Sequence, residues 1–166
     1  GVNIFDNDES QINNAAVVAD MDGTNRERSA GPNVKAYTKA LEIMENVVNT
    51  DIQLLAIPGI RHPIVTDAAV NSVTERFDAM FVMDVEQLDS NGDNVTSDEQ
   101  TPNVALTSQQ FSDRVVDTSF AAAYFPDIVM PDPTTETILF VPPSVQVLGA
   151  LALNDAVGHP WFAPAG

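Results

Sequence analysis

Phe140-Val141-Pro142-Pro143-Ser144 leads into Val145-Gln146-Val147-Leu148-Gly149-Ala150-Leu151-Ala152-Leu153-Asn154-Asp155, and the chain closes on Pro160-Trp161-Phe162-Ala163-Pro164-Ala165-Gly166. Two prolines after an apolar run end a strand and start a helix, because proline at the first helical position gives up an N–H that has no helical partner. From Thr137 to Asn154 no side chain ionises, yet the 166-residue chain carries a formal charge of −17. A strongly acidic protein that keeps one segment neutral is expected to bury it, so this is read as a core helix. It is no membrane span. Pro142 and Pro143 leave about a dozen helical residues, short of the roughly 20 that about 30 Å of hydrocarbon requires. Gly149, midway along, costs about 1 kcal/mol relative to Ala, which predicts a neighbouring backbone packed against it. Trp161 and Phe162, held between prolines, are expected to anchor the exit on the domain, so that Trp161→Ala lowers stability by about 3–5 kcal/mol.

The upstream chain reads as the layers around that segment. Residues 1–14 are an irregular polar lead-in, expected to be the trimmed start of a longer protein, and 15–166 form one α/β domain. Ala15–Ala19 is a short strand candidate. Val34, Tyr37, Leu41, Met44 and Val48 recur at spacings of three and four, one stripe of a helix begun by Pro32. Asp51–Ile57 is a strand stopped by Pro58-Gly59. Thr66 caps the next helix, with Ala69, Val70, Val73 and Phe77 inward. Ala79–Met83 is continuously apolar, as in a strand covered on both faces, and Asp84 stands at its carboxyl end. Residues 86–103 form a long polar loop, expected to be the most mobile part. Thr107-Ser108-Gln109-Gln110 reads as a capping box for a helix with Phe111 and Val115 inward, and Phe120–Phe125 as a further buried strand ending at Pro126. Asp127–Met130 and Thr137–Val141 pair as an antiparallel ribbon. The alternation of helices and strands predicts a mostly parallel sheet flanked by helices, with the ribbon near the C-terminus.

Composition narrows the function. Seven Lys and Arg stand against 24 Asp and Glu, a surface that repels phosphate backbones and anionic lipid, so neither nucleic acid nor membrane is an expected partner. Without cysteine there are no disulfides, no thiolate chemistry and no Cys-based metal sites. With 44% hydrophobic residues the chain has ample material for a core.

Several short patterns carry candidate chemistry. Ala15-Ala16-Val17-Val18-Ala19-Asp20-Met21-Asp22-Gly23-Thr24 is similar to the first motif of haloacid-dehalogenase-type phosphatases, in which the first carboxylate is the nucleophile, the second an acid/base, and Mg²⁺ offsets the phosphate charge. That chemistry also needs a lysine presented from a later strand, and the only lysines, Lys35 and Lys39, directly follow the motif. An Asp20→Asn variant is therefore expected to have no catalytic consequence. The stretch from Asp89 to Gln100 places oxygens at calcium-loop positions 1, 3 and 5, but has Asn94 where glycine is required and Gln100 where a bidentate Glu is required. Ser144, Asp155 and His159 could suggest a hydrolase triad, yet no Gly-x-Ser-x-Gly elbow is present and Ser144 sits where a cap belongs. His62 has no carboxylate close in sequence, and two histidines without ligand spacing do not make a zinc site. A small-ligand site at the carboxyl ends of the strands is a further possibility.

Taken as an ordered set, Tyr-Phe-Pro at 124–126, Val-Pro-Pro-Ser at 141–144, Asn-Asp at 154–155 and the closing Pro-Trp-Phe-Ala-Pro-Ala-Gly resemble contractile tail sheath proteins of phages. Asp22-Gly23 before the first helix, Ala-Ile-Pro-Gly at 56–59 and Phe-Val-Met-Asp at 81–84 extend the resemblance over most of the chain. It departs from the pattern in the 86–103 loop and in stopping at Ala-Pro-Ala-Gly. The resemblance implies a core α/β domain likened to subtilisin without its catalysis. It also implies a structural, non-enzymatic role without cofactors: stacked hexameric rings around a tail tube, connected to a baseplate, in the virion, assembled in the host cytoplasm. The residues it marks as structural are Asp22, Gly23, Pro58, Gly59, Asp84, Pro126, Pro142, Pro143, Ser144, Gly149, Asp155, Pro160, Trp161, Ala163 and Pro164. The alternative is the Mg²⁺-dependent phosphatase built on Asp20 and Asp22.

Overall fold

The computed structural model describes residues 7–21, 28–95, 101–159 and 161–164. Five helices and five strands follow in the order α1 (Asn7–Met21), α2 (Pro32–Glu45), β1 (Leu54–Ala56), α3 (Pro63–Arg76), β2 (Met80–Asp84), α4 (Val104–Asp113), β3 (Ala121–Tyr124), β4 (Ile128–Pro131), β5 (Ile138–Val141) and α5 (Pro143–Val157). The first three strands make a parallel sheet in the order β1-β2-β3, with Ala56 beside Val82 and Asp84 beside Tyr124. α3 and α4 provide the crossovers that parallel neighbours require. β4 and β5 form the separate antiparallel ribbon. The α/β class, the parallel sheet and the ribbon agree with the sequence reading.

β2 is the centre because both of its edges are paired and both of its faces are covered. Phe81 and Met83, each 1% exposed, join Leu41 of α2, Ala69, Val70 and Val73 of α3, and Ala79 in one core. Asp84, one residue on and therefore on the opposite face, meets the start of α5. A second cluster of Val17, Val34, Ile60 and Val65 joins α1 to the starts of α2 and α3. Arg76 closes the body from below. Its side chain, 1% exposed, donates from Nη1 to the Met44 carbonyl, from Nη2 to the Thr50 carbonyl at 3.0 Å, and from Nε to Asp78 Oδ1 at 2.8 Å.

Local expectations fail in identifiable ways. Ala15–Ala19 lies inside α1, so the lead-in does not run to residue 14 and the first strand is absent. α2 ends at Glu45, leaving Val48 93% exposed beyond it. The cap of α3 is His62, whose Nδ1 accepts from the Ile64 N–H at 3.1 Å; Thr66 is buried one turn inside and donates to the His62 carbonyl. α4 is capped by Asn103, which accepts from the Leu106 N–H, while Thr107 is buried and accepts from the Leu88 N–H. Residues 86–95 are folded: Glu86, Gln87 and Asp89 are buried and Leu88 bridges to Asn94. β1 is shorter than expected, and β3 is a half-buried edge.

The largest departure is α5. Only Pro143 and Ser144 are buried; Leu153 is 63% and Val157 77% exposed, and Trp161 and Phe162 beyond it are 79% and 62% exposed. Among the described residues, nothing outside its own helix backbone approaches within 4 Å of a Cβ placed on Gly149. The neutral segment is thus anchored at its beginning and open along its outer side, and the loss predicted for Trp161→Ala does not apply to a side chain so exposed. No helix among the described residues is long and apolar enough to cross a membrane.

Two helix ends turn through left-handed residues, Phe77 (φ 61°) and Val115 (φ 51°). Phe77 is exposed but meets Phe120 edge-on at 5.4 Å between ring centroids. Val115 is 81% exposed, so its branched side chain incurs the left-handed steric penalty with little packing in return. Val115→Gly is therefore expected to raise the unfolding free energy by about 0.5–1 kcal/mol, read from urea titrations; a loss of stability would show that the Val115 side chain is held by contacts.

Candidate functional site

Residues far apart in sequence converge on the Asp84 carboxylate, which is 2% exposed at the carboxyl end of β2. The Ser144 N–H donates to Oδ1 at 2.9 Å, the Ser144 hydroxyl to Oδ2 at 2.7 Å, and the Gly59 N–H to Oδ2 at 3.1 Å. The chemistry of each element explains the meeting. α5 begins with unpaired N–H groups, and its cap residue Pro142 has no side-chain acceptor, so β2 supplies the oxygen from across the fold. Gly59 reaches the same carboxylate from a turn with φ 80°, a left-handed conformation natural to glycine.

A charged rim surrounds this centre. Arg61 Nη2 lies 2.7 Å from each carboxylate oxygen of Asp127, tying the loop after β1 to the entrance of β4. Asn14 Oδ1 accepts from the N–H groups of Arg61 and His62 at 3.0 and 3.1 Å, tying α1 to the same loop. Arg114 donates to Thr66 Oγ1 at 2.8 Å and pairs with Asp67. Burial pushes the Asp84 carboxyl above the ordinary carboxylate range, against the opposing pull of the Ser144 and Gly59 donors and the Arg61 charge. Burial likewise raises Glu86, opposed by Arg114 and Arg61.

The Glu86 shift has a defined sign. A carboxyl raised in the folded state binds its proton more tightly there than in the unfolded chain. Its contribution is therefore full at low pH and is lost as pH rises through the folded value. Glu86→Gln is expected to be more stable than the parent at neutral pH, with the difference vanishing below about pH 4. Denaturation midpoints across a pH series measure this; a gain that persists unchanged into acid would contradict it.

Among the described residues, the other sequence candidates are held apart from one another. Asp20, 2% exposed, stands near the end of α1 and accepts from the Asn33 and Val34 N–H groups at 2.9 and 3.2 Å, capping α2. Gly31 makes this possible: a Cβ there would lie 2.3 Å from the Asp20 Cγ. Asp20 thus leaves a helix, not the strand end that the phosphatase motif needs; Asp22 and Gly23 lie outside the described residues. Ser144 is fully buried with its hydroxyl committed to Asp84. Asp155 lies eleven residues further along the same helix, about 16 Å at 1.5 Å per residue, and His159 stacks on Trp161 at 4.8 Å. The calcium-like loop satisfies itself: Asp89 Oδ1 accepts from the Asn91 and Asp93 N–H groups at 2.7 and 3.1 Å, bonds that hold its carboxyl below the usual range. Gln100 lies outside the described residues, and no group of three or more possible metal-binding side chains occurs among those described.

Of the residues marked by the resemblance, Gly59, Asp84 and Ser144 meet directly, with Pro142 and Pro143 buried beside them. Pro58, Pro126, Gly149, Asp155, Trp161, Ala163 and Pro164 are exposed, and Pro160 is outside the described set. Sequence reading missed Asn14, Gly31, Arg61, Arg76 and Asp127 as organising residues. The one available signal was rarity, since an Arg in a chain with seven basic residues has many carboxylates from which to take a partner. The chain matches no family model, no curated protein and no solved structure.

Proposed function

We propose that this domain is a structural subunit that works by assembly, the core domain of a contractile tail sheath, with other sheath subunits, the tail tube and the baseplate as partners. One observation carries the reading: apolar side chains face outward along the charge-free stretch while the polar centre at the strand ends is closed on itself. In the ribbon, directly opposite residues share a face. Val129 and Phe140, Pro131 and Ile138 therefore form one apolar face, with Val129 55% and Ile138 65% exposed. α5 continues the pattern with Leu153 and Val157. A protein of charge −17 meets like-charged copies of itself with least repulsion where its surface is neutral, and exposed apolar area of this kind marks contact surfaces.

The Ser144 hydroxyl proton and the Asp84 carboxylate are engaged in holding strand, loop and helix together, which supports a structural use of this centre. Negative-stain microscopy of the purified protein that carries this domain tests the reading. Hollow tubes built of stacked rings are expected. Dispersed particles at every concentration and salt condition would overturn it.

A further inference from the structure

α5 is fixed to the body at one end. Its buried residues are Pro143 and Ser144; Val147, Leu148 and Leu151 are half-buried, and the outer side is exposed from Gly149 to Val157. Among the described residues, the hydrogen bonds recorded between this helix and the body all run from Ser144 to Asp84. The far end is tied to the exit segment, not to the body. Asn154 Nδ2 donates to the Phe162 carbonyl at 2.9 Å, the Phe162 N–H donates to the His159 carbonyl at 2.8 Å, and His159 stacks on Trp161. Gly158 makes this turn so tight that a Cβ there would lie 2.9 Å from the Asn154 carbonyl oxygen and 3.3 Å from Phe162 Cβ.

We infer that α5, Gly158, His159 and residues 161–163 form one rigid arm with an aromatic tip, which pivots on the Asp84–Ser144 hydrogen bonds. The physical basis is the mismatch between two attachments. The pivot holds a buried, charge-assisted set of bonds, whereas the shaft rests on half-buried aliphatic contacts that can slide or part at small cost. Internal bonds at the tip keep exit and helix together as the arm moves. Regions with few buried apolar contacts open locally at lower free energy than a paired central strand. The pivot needs no occupant on the outer face, so the inference does not depend on the assembly reading.

Hydrogen exchange on the full chain tests it. Amides from Val145 to Val157 are expected to exchange as one block, faster than those of β2. Ser144→Ala, which removes one of the pivot bonds, is expected to speed that block by about threefold to tenfold while leaving β2 unchanged. A second measurement does not rely on the pivot variant being well behaved. The chain has no cysteine, so spin labels at Asp155→Cys and Glu75→Cys report the distance between arm and body, with Lys39→Cys and Glu75→Cys as the control pair. A broad or multiple distance distribution for the arm pair beside a narrow control supports the pivot. A single narrow arm distance, α5 amides as protected as β2, or Ser144→Ala speeding both regions equally would each overturn it.

Discussion

Asp84→Ala is expected to lower the unfolding free energy by about 4 kcal/mol. The substitution strands the Gly59 N–H, the Ser144 N–H and the Ser144 hydroxyl in a place water does not reach. Each unsatisfied buried donor costs about 1–3 kcal/mol, and the costs are not additive. Asp84→Asn keeps one carbonyl oxygen but turns an amide N–H₂ toward at least one of those donors, so its loss is expected to fall between the two. Urea titrations give the numbers, with an unchanged slope showing that the unfolded reference is the same. A loss below about 1 kcal/mol for Asp84→Ala, the worth of one ordinary hydrogen bond, would show that the three-way contact is not the junction of loop, strand and helix described above.

Arg76→Ala belongs in the same class, at about 2–4 kcal/mol, from two carbonyl acceptors left without a donor. Its guanidinium serves two carbonyls and the Asp78 carboxylate from a site 1% exposed. The Met44 carbonyl lies in the last turn of α2, where helical acceptors have no partner within the helix, so removing Arg76 leaves that acceptor and the Thr50 carbonyl without their donor. Arg76→Lys restores charge but not the fork that reaches several acceptors at once, and is expected to recover less than half of the loss. Full recovery by Lys in thermal unfolding would mean that charge, not shape, is what the site requires.

Much of the architecture was legible because it depends on local pattern. The run Ala79–Met83 gave the covered central strand, Pro142-Pro143 gave the start of α5, and two short apolar segments around Pro131–Glu136 gave the ribbon. Ala15–Ala19 was misread because a short apolar run has no period long enough to separate strand from helix. The capping side chains were displaced by a few residues: His62 and Asn103 cap helices where Thr66 and Thr107 were expected, since any small polar side chain near a helix start is a plausible cap. The neutral tail misled differently. Absence of charge identifies a surface that does not favour water, but nothing in the residues says whether the same chain covers it. The Asp84 junction joins positions 25 and 60 residues away, and no spacing rule reaches across such distances.

The close approach of Asp20 to Gly31 has a consequence for how this chain can vary. Gly31 has φ −60° and ψ 152°, angles that any residue adopts, so its backbone makes no demand for glycine; the Asp20 side chain, from its Cβ outward, excludes a side chain there. The two positions are therefore locked together. Alanine at 31 is harmful while any side chain stands at 20, since even the Cβ there would lie 2.6 Å away; only glycine at 20 would clear the space, and it would remove the carboxylate that caps α2.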